Sequence, residues 1–183
     1  MLTAILLSAQ PVYSQADNQT GNKLQAQLQE AVISNPRFQD RFDAEVWLLD
    51  MSNRLAHFVK DPEARVTILK LVHSEATRAN ISPELVLALI EVESHFDEFA
   101  ISVAGARGLM QIMPFWLDEM NLTGKNLFNI QTNLRMGCTI LSYYLNIESG
   151  NLTRALGRYN GSLGQYTYPQ KVTQALNNNW FKQ

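Results

Sequence analysis

The chain has a single cysteine, Cys138, among its 183 residues, so no disulfide can form between two of them. Its fold must rest on packing. The three histidines, His57, His73 and His95, stand at no metal-ligand spacing with one another or with Cys138. No glycine-rich phosphate loop follows a strand pattern, and no convincing strand is found. Fifteen Lys and Arg against 17 Asp and Glu leave a net charge of -2 without a basic block, which sets a nucleic-acid surface aside. No apolar run is long enough to span a bilayer, so no stable membrane insertion is expected.

What is present is a chain that is 46% hydrophobic and long enough for one sizeable core. The start, "MLTAILLSAQPVYSQA", has a short apolar run from Leu2 to Ala9 and then Ser14-Gln15-Ala16, with small residues where a signal peptidase reads. It resembles an export signal, although no Lys or Arg follows Met1; a frayed terminal tail is the alternative. No Cys follows to carry a lipid. After a polar stretch through Lys23, helices are expected over Leu24 to Ile33, roughly Asp40 to Lys60, and Pro62 to Asn80. Asn35-Pro36 and Asp61-Pro62 mark the breaks, because the residue before proline avoids the helical region and proline suits the next helix's first turn. Later helices are expected over Gln131 to Glu148, Leu152 to Tyr159 and about Pro169 to Asn177, with a loop-rich centre from Phe96 to Ile130. The expected architecture is all-α, a single compact, mostly helical domain.

The most informative stretch is "SPELVLALIEVESHFDEFA", residues 82–100. Ser82 can cap a helix, Pro83 suits its first position, and Glu84 places negative charge near the positive end of the dipole. Helical spacing then puts Glu93 on the stripe of Val86, Leu89 and Ile90, while Glu91 falls with Glu84 and Ala88 on a more polar face. A glutamate removed from water has its charged form disfavoured and its pKa raised, as a proton donor at neutral pH requires. The competing reading is a buried Glu paired with Arg or Lys. Cys138, among Leu134, Ile140 and Leu141, reads as a small buried thiol.

Directly after Glu93 the chain runs "ESHFDEFAISVAGARGLMQIMP". Glu93, Ser94, Phe96, Ala100, Ser102, Gly105, Ala106, Gly108, Leu109, Met110 and Gln111 match the first motif of the SLT-type lytic transglycosylases, of the goose-type-lysozyme-like superfamily, and the chain resembles that family. Asn133 and Gly137 in "NLRMGCTIL" match a second motif. In "ALGRYNG", Ala155, Leu156, Tyr159, Asn160 and Gly161 match a third, and in "YPQKV", Tyr168 and Val172 match a fourth. Arg158 and Pro169 depart from it, standing where the family often has Ala and usually has Val. The resemblance covers about residues 73–176. With it the chain divides into an export signal over 1–16, a polar stretch and packing helices over 17–72, and a catalytic domain over 73–183.

The resemblance implies a lysozyme-like helical fold acting on peptidoglycan strands outside the cytoplasm, in the periplasm or elsewhere in the cell envelope. It implies cleavage of the β-1,4 bond after N-acetylmuramic acid and a 1,6-anhydro product, without cofactor or metal. Glu93 would be general acid and then base. Ser94, Met110, Gln111, Tyr159, Asn160 and Tyr168 would contact substrate, and Gly105, Gly108, Asn133, Gly137 and Gly161 would shape the site. Tyr159 would direct its hydroxyl toward Glu93 or the acetamido group; other readings of the same residues stay open, with Ser94 bonding backbone, Met110 as packing and Tyr159 as a buried structural tyrosine. A goose-type-lysozyme-like hydrolase and a non-catalytic wall-binding scaffold are the alternatives for the whole chain.

Overall fold

A computed structural model of the chain describes residues 41–181. The export signal, the polar stretch through Lys23 and the helix expected from Leu24 to Ile33 lie outside the described residues. Within them the chain runs α1 (Arg41–Leu55), α2 (Pro62–Ala79), α3 (Pro83–Ser94), α4 (Phe115–Glu119), α5 (Ile130–Ile147), α6 (Leu152–Tyr159) and α7 (Thr167–Ala175), then a π-helical turn, Leu176–Trp180. Among the described residues there is no strand, only isolated bridges pairing Arg107 with Ile101 and with Ile112. The all-helical expectation is borne out.

Three boundaries differ from expectation. The helix expected to reach Lys60 stops at Leu55, because Asp61 must be extended to cap α2 through Glu63 and Ala64. The buried Arg65 then covers the carbonyls of Val59 and Lys60. α4 interrupts the expected loop-rich centre. α7 begins at Thr167 rather than Pro169, which places the proline in the first turn, where its missing N–H has no intrahelical partner to lose.

α3 is the centre of the packing. Ser82 caps it as expected, its hydroxyl accepting from Leu85 N. Leu85, Val86, Leu87, Ala88, Leu89 and Ile90 are then buried in succession. Of the expected polar face, Ala88 is therefore buried and Glu84 and Glu91 are half-buried, because neighbouring elements cover that side too. α2, α7 and the π-helical turn pack against α3, and from α1 the Trp47 Nε1 donates to Glu84 across 2.7 Å. The division expected between residues 72 and 73 falls inside α2, a continuous helix. α2 is clamped to α5 by Glu75, a buried carboxylate held by Arg78 and Arg135 at 2.6 and 2.8 Å. Burial would raise its pKa, but the two guanidinium groups outweigh burial and hold it below the ordinary value.

Between α3 and α5 the chain folds over the end of α3 as a tight loop, and one side chain of α5 holds that loop. Asn133 is buried; its Oδ1 accepts from Met110 N at 2.8 Å, and its Nδ2 donates to Arg107 O and Leu127 O at 2.8 and 2.9 Å. Gly108 has φ 73° and no room for a side chain, since a Cβ would meet Asn133 Nδ2 at 2.5 Å and Leu127 O at 2.6 Å. Gly137 on α5 leaves the space that the Met110 sulfur occupies, which a Cβ would enter at 2.3 Å. Asn133→Ala strands the buried Met110 N–H and Leu127 carbonyl, while Arg107 O keeps its bond from Ile112 N, so it should cost roughly 2–4 kcal/mol. Urea unfolding measures this, and a loss below about 0.5 kcal/mol would show that the loop is held by other means.

Candidate active site

α3 delivers Glu93 and then ends abruptly. His95 and Phe96 follow with φ of 50° and 64°, left-handed values rarely adopted by residues of this bulk. Phe96 can hold that conformation because its ring is buried against Phe58 and Trp180, with ring centres 5.2 and 5.5 Å apart. The turn stops the helix at the point where the Glu93 carboxyl reaches the surface of the core. There it borders a cavity of about 330 Å³ whose walls include Tyr168, Asn160, Ser162, Gln165 and Lys171. A second depression of about 420 Å³, walled by Glu91, His95, Gln174 and Asn178, adjoins it across Val92 and Lys171.

The Glu93 carboxyl has one hydrogen-bond partner among the described residues: Tyr168 on α7 donates its hydroxyl to Glu93 Oε1 across 2.5 Å. Burial dominates its titration, pushing the pKa up to about 7, and the Tyr168 hydrogen bond, which favours the charged form, offsets only part of that. The alternative of a buried Glu paired with Arg or Lys does not apply to it. That description fits Glu75 instead, and also Glu148, which the nearby Ser149 makes a second Glu-Ser pair. Arg154 and Arg158 both donate to Glu148 and hold its pKa below the ordinary value. Arg158, a departure from the family pattern, has this as its partner.

The other motif residues divide between the cavity and the loop above it. Asn160 and Tyr168 reach the cavity. Tyr159 does not bond Glu93; its hydroxyl donates to Met110 O at 2.8 Å, and Tyr168 takes the place beside the carboxyl that Tyr159 was considered for. Ser94 donates to Leu109 O at 2.8 Å, the backbone role that was its alternative. Met110 is fully buried over Gly137 and packs in the core rather than facing a groove. Gln111, held at φ 49°, donates from Nε2 to Ala100 O and Gly108 O at 3.1 and 2.9 Å, tying the loop to itself. Gly105 and Gly161 have φ of 89° and 75° and serve their turns through conformation alone. Cys138 is buried as expected, its thiol pushed up to about 12 by burial.

Glu91 departs from expectation. It is half-buried, and its carboxylate accepts from Asn179 Nδ2 at 2.8 Å and Trp180 Nε1 at 2.6 Å. Trp180 lies beyond the last of the sequence motifs, which end at about residue 176, and nothing in local helical periodicity announces a tryptophan 89 residues away. Ser162, Gln165 and Lys171 have no signal in the motifs; they are cavity residues only because α7 packs against α3 and α6 against α7.

Comparison with known proteins agrees with the motifs. A family model described as Transglycosylase SLT domain matches residues 70–181. Membrane-bound lytic murein transglycosylase C of Yersinia pestis (strain Pestoides F) is 32% identical over 112 residues, which is 52% of this chain and 31% of that protein. The protein of the same name from Yersinia pseudotuberculosis serotype O:1b (strain IP 31758) matches to the same extent. The chain thus spans under a third of the length of these relatives. A solved structure of an inactive mutant of the lytic transglycosylase Slt from Pseudomonas aeruginosa shares 19% identity at a TM-score of 0.48, covering 84% of this chain and 31% of that one.

The position of Glu93 also has a consequence for stability. The folded chain keeps its proton up to about pH 7, whereas the unfolded chain releases it near 4.5. Stability associated with the neutral carboxyl is therefore complete below pH 4.5 and is lost as pH rises to 7. Glu93→Gln is neutral throughout and escapes that loss. Its stability relative to wild type should rise by roughly 2 kcal/mol, or about 4–8 °C in Tm, between about pH 5 and about pH 8. A difference that stays constant over this range would show an ordinary, hydrated carboxyl.

Proposed function

The chain belongs to the transglycosylase SLT domain family, and from that premise we propose that it cleaves peptidoglycan strands between N-acetylmuramic acid and N-acetylglucosamine, leaving 1,6-anhydromuramic acid ends. The observation that carries this reading is the place of Glu93 on the wall of a cavity, with one tyrosine hydroxyl beside it and burial pushing its pKa up to about 7. Glu93 is the general acid. It gives its proton to the bridging oxygen as the bond from that oxygen to the anomeric carbon breaks.

A glycosidase normally uses a second carboxylate to stabilise the positive anomeric centre. Glu93 is the only carboxylate among the residues lining this cavity. Glu91 is occupied with Trp180 and Asn179 on the other side of Val92, Asp97 accepts from its own loop at Phe99 N, and Asp118 accepts from Thr123. The carbonyl oxygen of the substrate's own 2-acetamido group supplies the missing nucleophile, closing a five-membered ring on the anomeric carbon. Glu93, now a carboxylate, takes the proton from the sugar's 6-hydroxyl while that oxygen bonds to the anomeric carbon and the acetamido oxygen leaves. The carboxyl is protonated again at the end, and no water is consumed.

Asn160, Ser162, Gln165 and Lys171 offer donors and acceptors suited to hydroxyl and acetamido groups. The unit that acts is residues 73–183, with α1 and the first half of α2 packed on it. The relatives' names assign them to murein and to a membrane, and the apolar run from Leu2 to Ala9 followed by Ser14-Gln15-Ala16 supports export of this chain to the cell envelope.

Glu93→Gln should lower turnover on purified sacculi by 10²-fold or more, roughly the contribution of a positioned general acid, while the fold persists. Wild-type products, weighed by mass spectrometry, should be one water lighter than those of a hydrolase. Ordinary reducing ends would assign a goose-type-lysozyme-like hydrolase, and absence of any cleavage with intact binding would assign a wall-binding scaffold.

A further inference from the structure

Glu93 is flanked in sequence by two residues that touch the same side chain. Two positions before it, Glu91 accepts from Trp180 Nε1 at 2.6 Å and from Asn179 Nδ2 at 2.8 Å. Three positions after it, the Phe96 ring packs on the Trp180 ring at 5.5 Å, and Phe58 completes the cluster, 6.0 Å from Trp180 and 5.2 Å from Phe96. Trp180 is fully buried. Arg54 of α1 donates to Asn179 O at 2.9 Å and fastens the same turn from a third direction.

The turn that carries Asn179 and Trp180 is not a separate element. It continues α7 directly, as a π-helical stretch from Leu176 to Trp180, and π turns of this kind are uncommon and concentrate at functional sites. α7 also carries Tyr168, the partner of Glu93. The same pair of elements is therefore joined by two carboxylate-centred contacts, Glu93 with Tyr168 near the start of α7 and Glu91 with Asn179 and Trp180 beyond its end. One residue, Trp180, also holds the strained turn that terminates α3. Along an α-helix, residues two apart point about 200° away from each other. Glu91 can thus be gripped from outside the cavity while Glu93 faces into it.

We propose that the C-terminal turn is a positioning latch for the catalytic helix: Asn179 and Trp180, acting on Glu91 and Phe96, set the separation of α3 and α7 and thereby hold Glu93 within hydrogen-bond reach of Tyr168. Glu91, Asn179 and Trp180 touch no substrate in this arrangement. They act through Tyr168 and Glu93. The proposal rests on Glu93 being the proton donor, yet the geometry it describes can be read without turnover.

The charged and titratable groups around Glu93 make the direction of the effect diagnostic. Tyr168 and Lys171 face it from α7, Tyr159 lies near it on α6, and Glu91 is on its own helix; His95 and Lys171 border the depression where Glu91 sits. Because the Tyr168 hydrogen bond favours the charged form of Glu93, loosening that bond should raise the Glu93 titration midpoint. Loss of the Glu91 charge alone would lower it, because removing a nearby negative charge favours ionisation. Trp180→Phe and Asn179→Ala change no charge, so they isolate the latch.

The test is a carboxyl NMR titration of Glu93 in wild type, Trp180→Phe, Asn179→Ala, Tyr168→Phe and the Trp180→Phe/Tyr168→Phe double variant, with kcat and KM measured on sacculi alongside. The midpoint should rise by about half a unit in Trp180→Phe, by somewhat less in Asn179→Ala, and at least as far in Tyr168→Phe. The double variant should show no more than the Tyr168→Phe shift, because the latch acts through that hydroxyl. Turnover should fall about three- to tenfold in Trp180→Phe with KM unchanged within about twofold. A folded Trp180→Phe or Asn179→Ala whose midpoint is unchanged or lower overturns the latch, even if it melts earlier. So does a double variant whose shift is the sum of the two single shifts. If Trp180→Phe fails to fold, Asn179→Ala decides alone. A wild type that cleaves no glycan refutes the proposed function, and the titrations still decide the latch.

Discussion

The structure depends on keeping one carboxyl at the edge of a core that has no charged partner for it. Removal of Glu93 from water favours its neutral form, and the Tyr168 hydroxyl pulls weakly the other way, so the balance falls near neutrality. Stronger compensation would destroy the property. Two guanidinium groups in place of one phenol give Glu75 and Glu148, both held as anions below the ordinary range. The chain thus builds different acids from the same side chain by varying only what surrounds it. The surroundings of Glu93 in turn require the buried apolar run from Leu85 to Ile90 on α3, an abrupt left-handed exit at His95 and Phe96, and an α7 close enough to bring Tyr168 to 2.5 Å.

Much of this was legible in the sequence, for definable reasons. Ser82 and Pro83 announce the start of α3 by local chemistry, and the helices from Leu152 and Pro62 lie within a residue or so of expectation because capping and proline signals act over short range. Glu93 stands out because it interrupts an apolar pattern. Periodicity misjudged what lies opposite it. Ala88 and Glu91 were placed on a polar face, whereas Ala88 is buried and Glu91 is held by the C-terminal turn. A helix in the middle of a bundle has neighbours on every side, and a repeat of 3.6 residues carries no record of which distant segments those will be.

The motif residues show a second limit. Sequence resemblance marks Ser94, Met110, Gln111, Asn133, Gly108 and Gly137 as important without distinguishing contact with a ligand from support of the loop. Their geometry favours support: Ser94, Gln111 and Asn133 spend their donors on loop carbonyls, Met110 fills the space that Gly137 leaves, and Gly108 fits where a Cβ cannot. Asn160 and Tyr168 are the motif residues that share the cavity with Glu93. Choosing between Tyr159 and Tyr168 as the partner of Glu93 required tertiary structure, since both are motif tyrosines and only the packing of α7 against α3 brings Tyr168 to the carboxyl.

A rigid loop above α3 and a tethered α7 beside it leave Glu93 with little freedom, which suits the role proposed for it, delivering a proton and then recovering one from a different oxygen. Its most direct test compares two curves for the wild-type protein: the titration of the Glu93 carboxyl, followed by NMR, and the fall of kcat/KM on purified sacculi as pH rises. Both should have their midpoint near 7, the value set by burial against a single hydroxyl. A carboxyl that titrates in the ordinary range near 4.5, or a rate that is indifferent to its titration, would contradict the assignment of Glu93 as a buried proton donor.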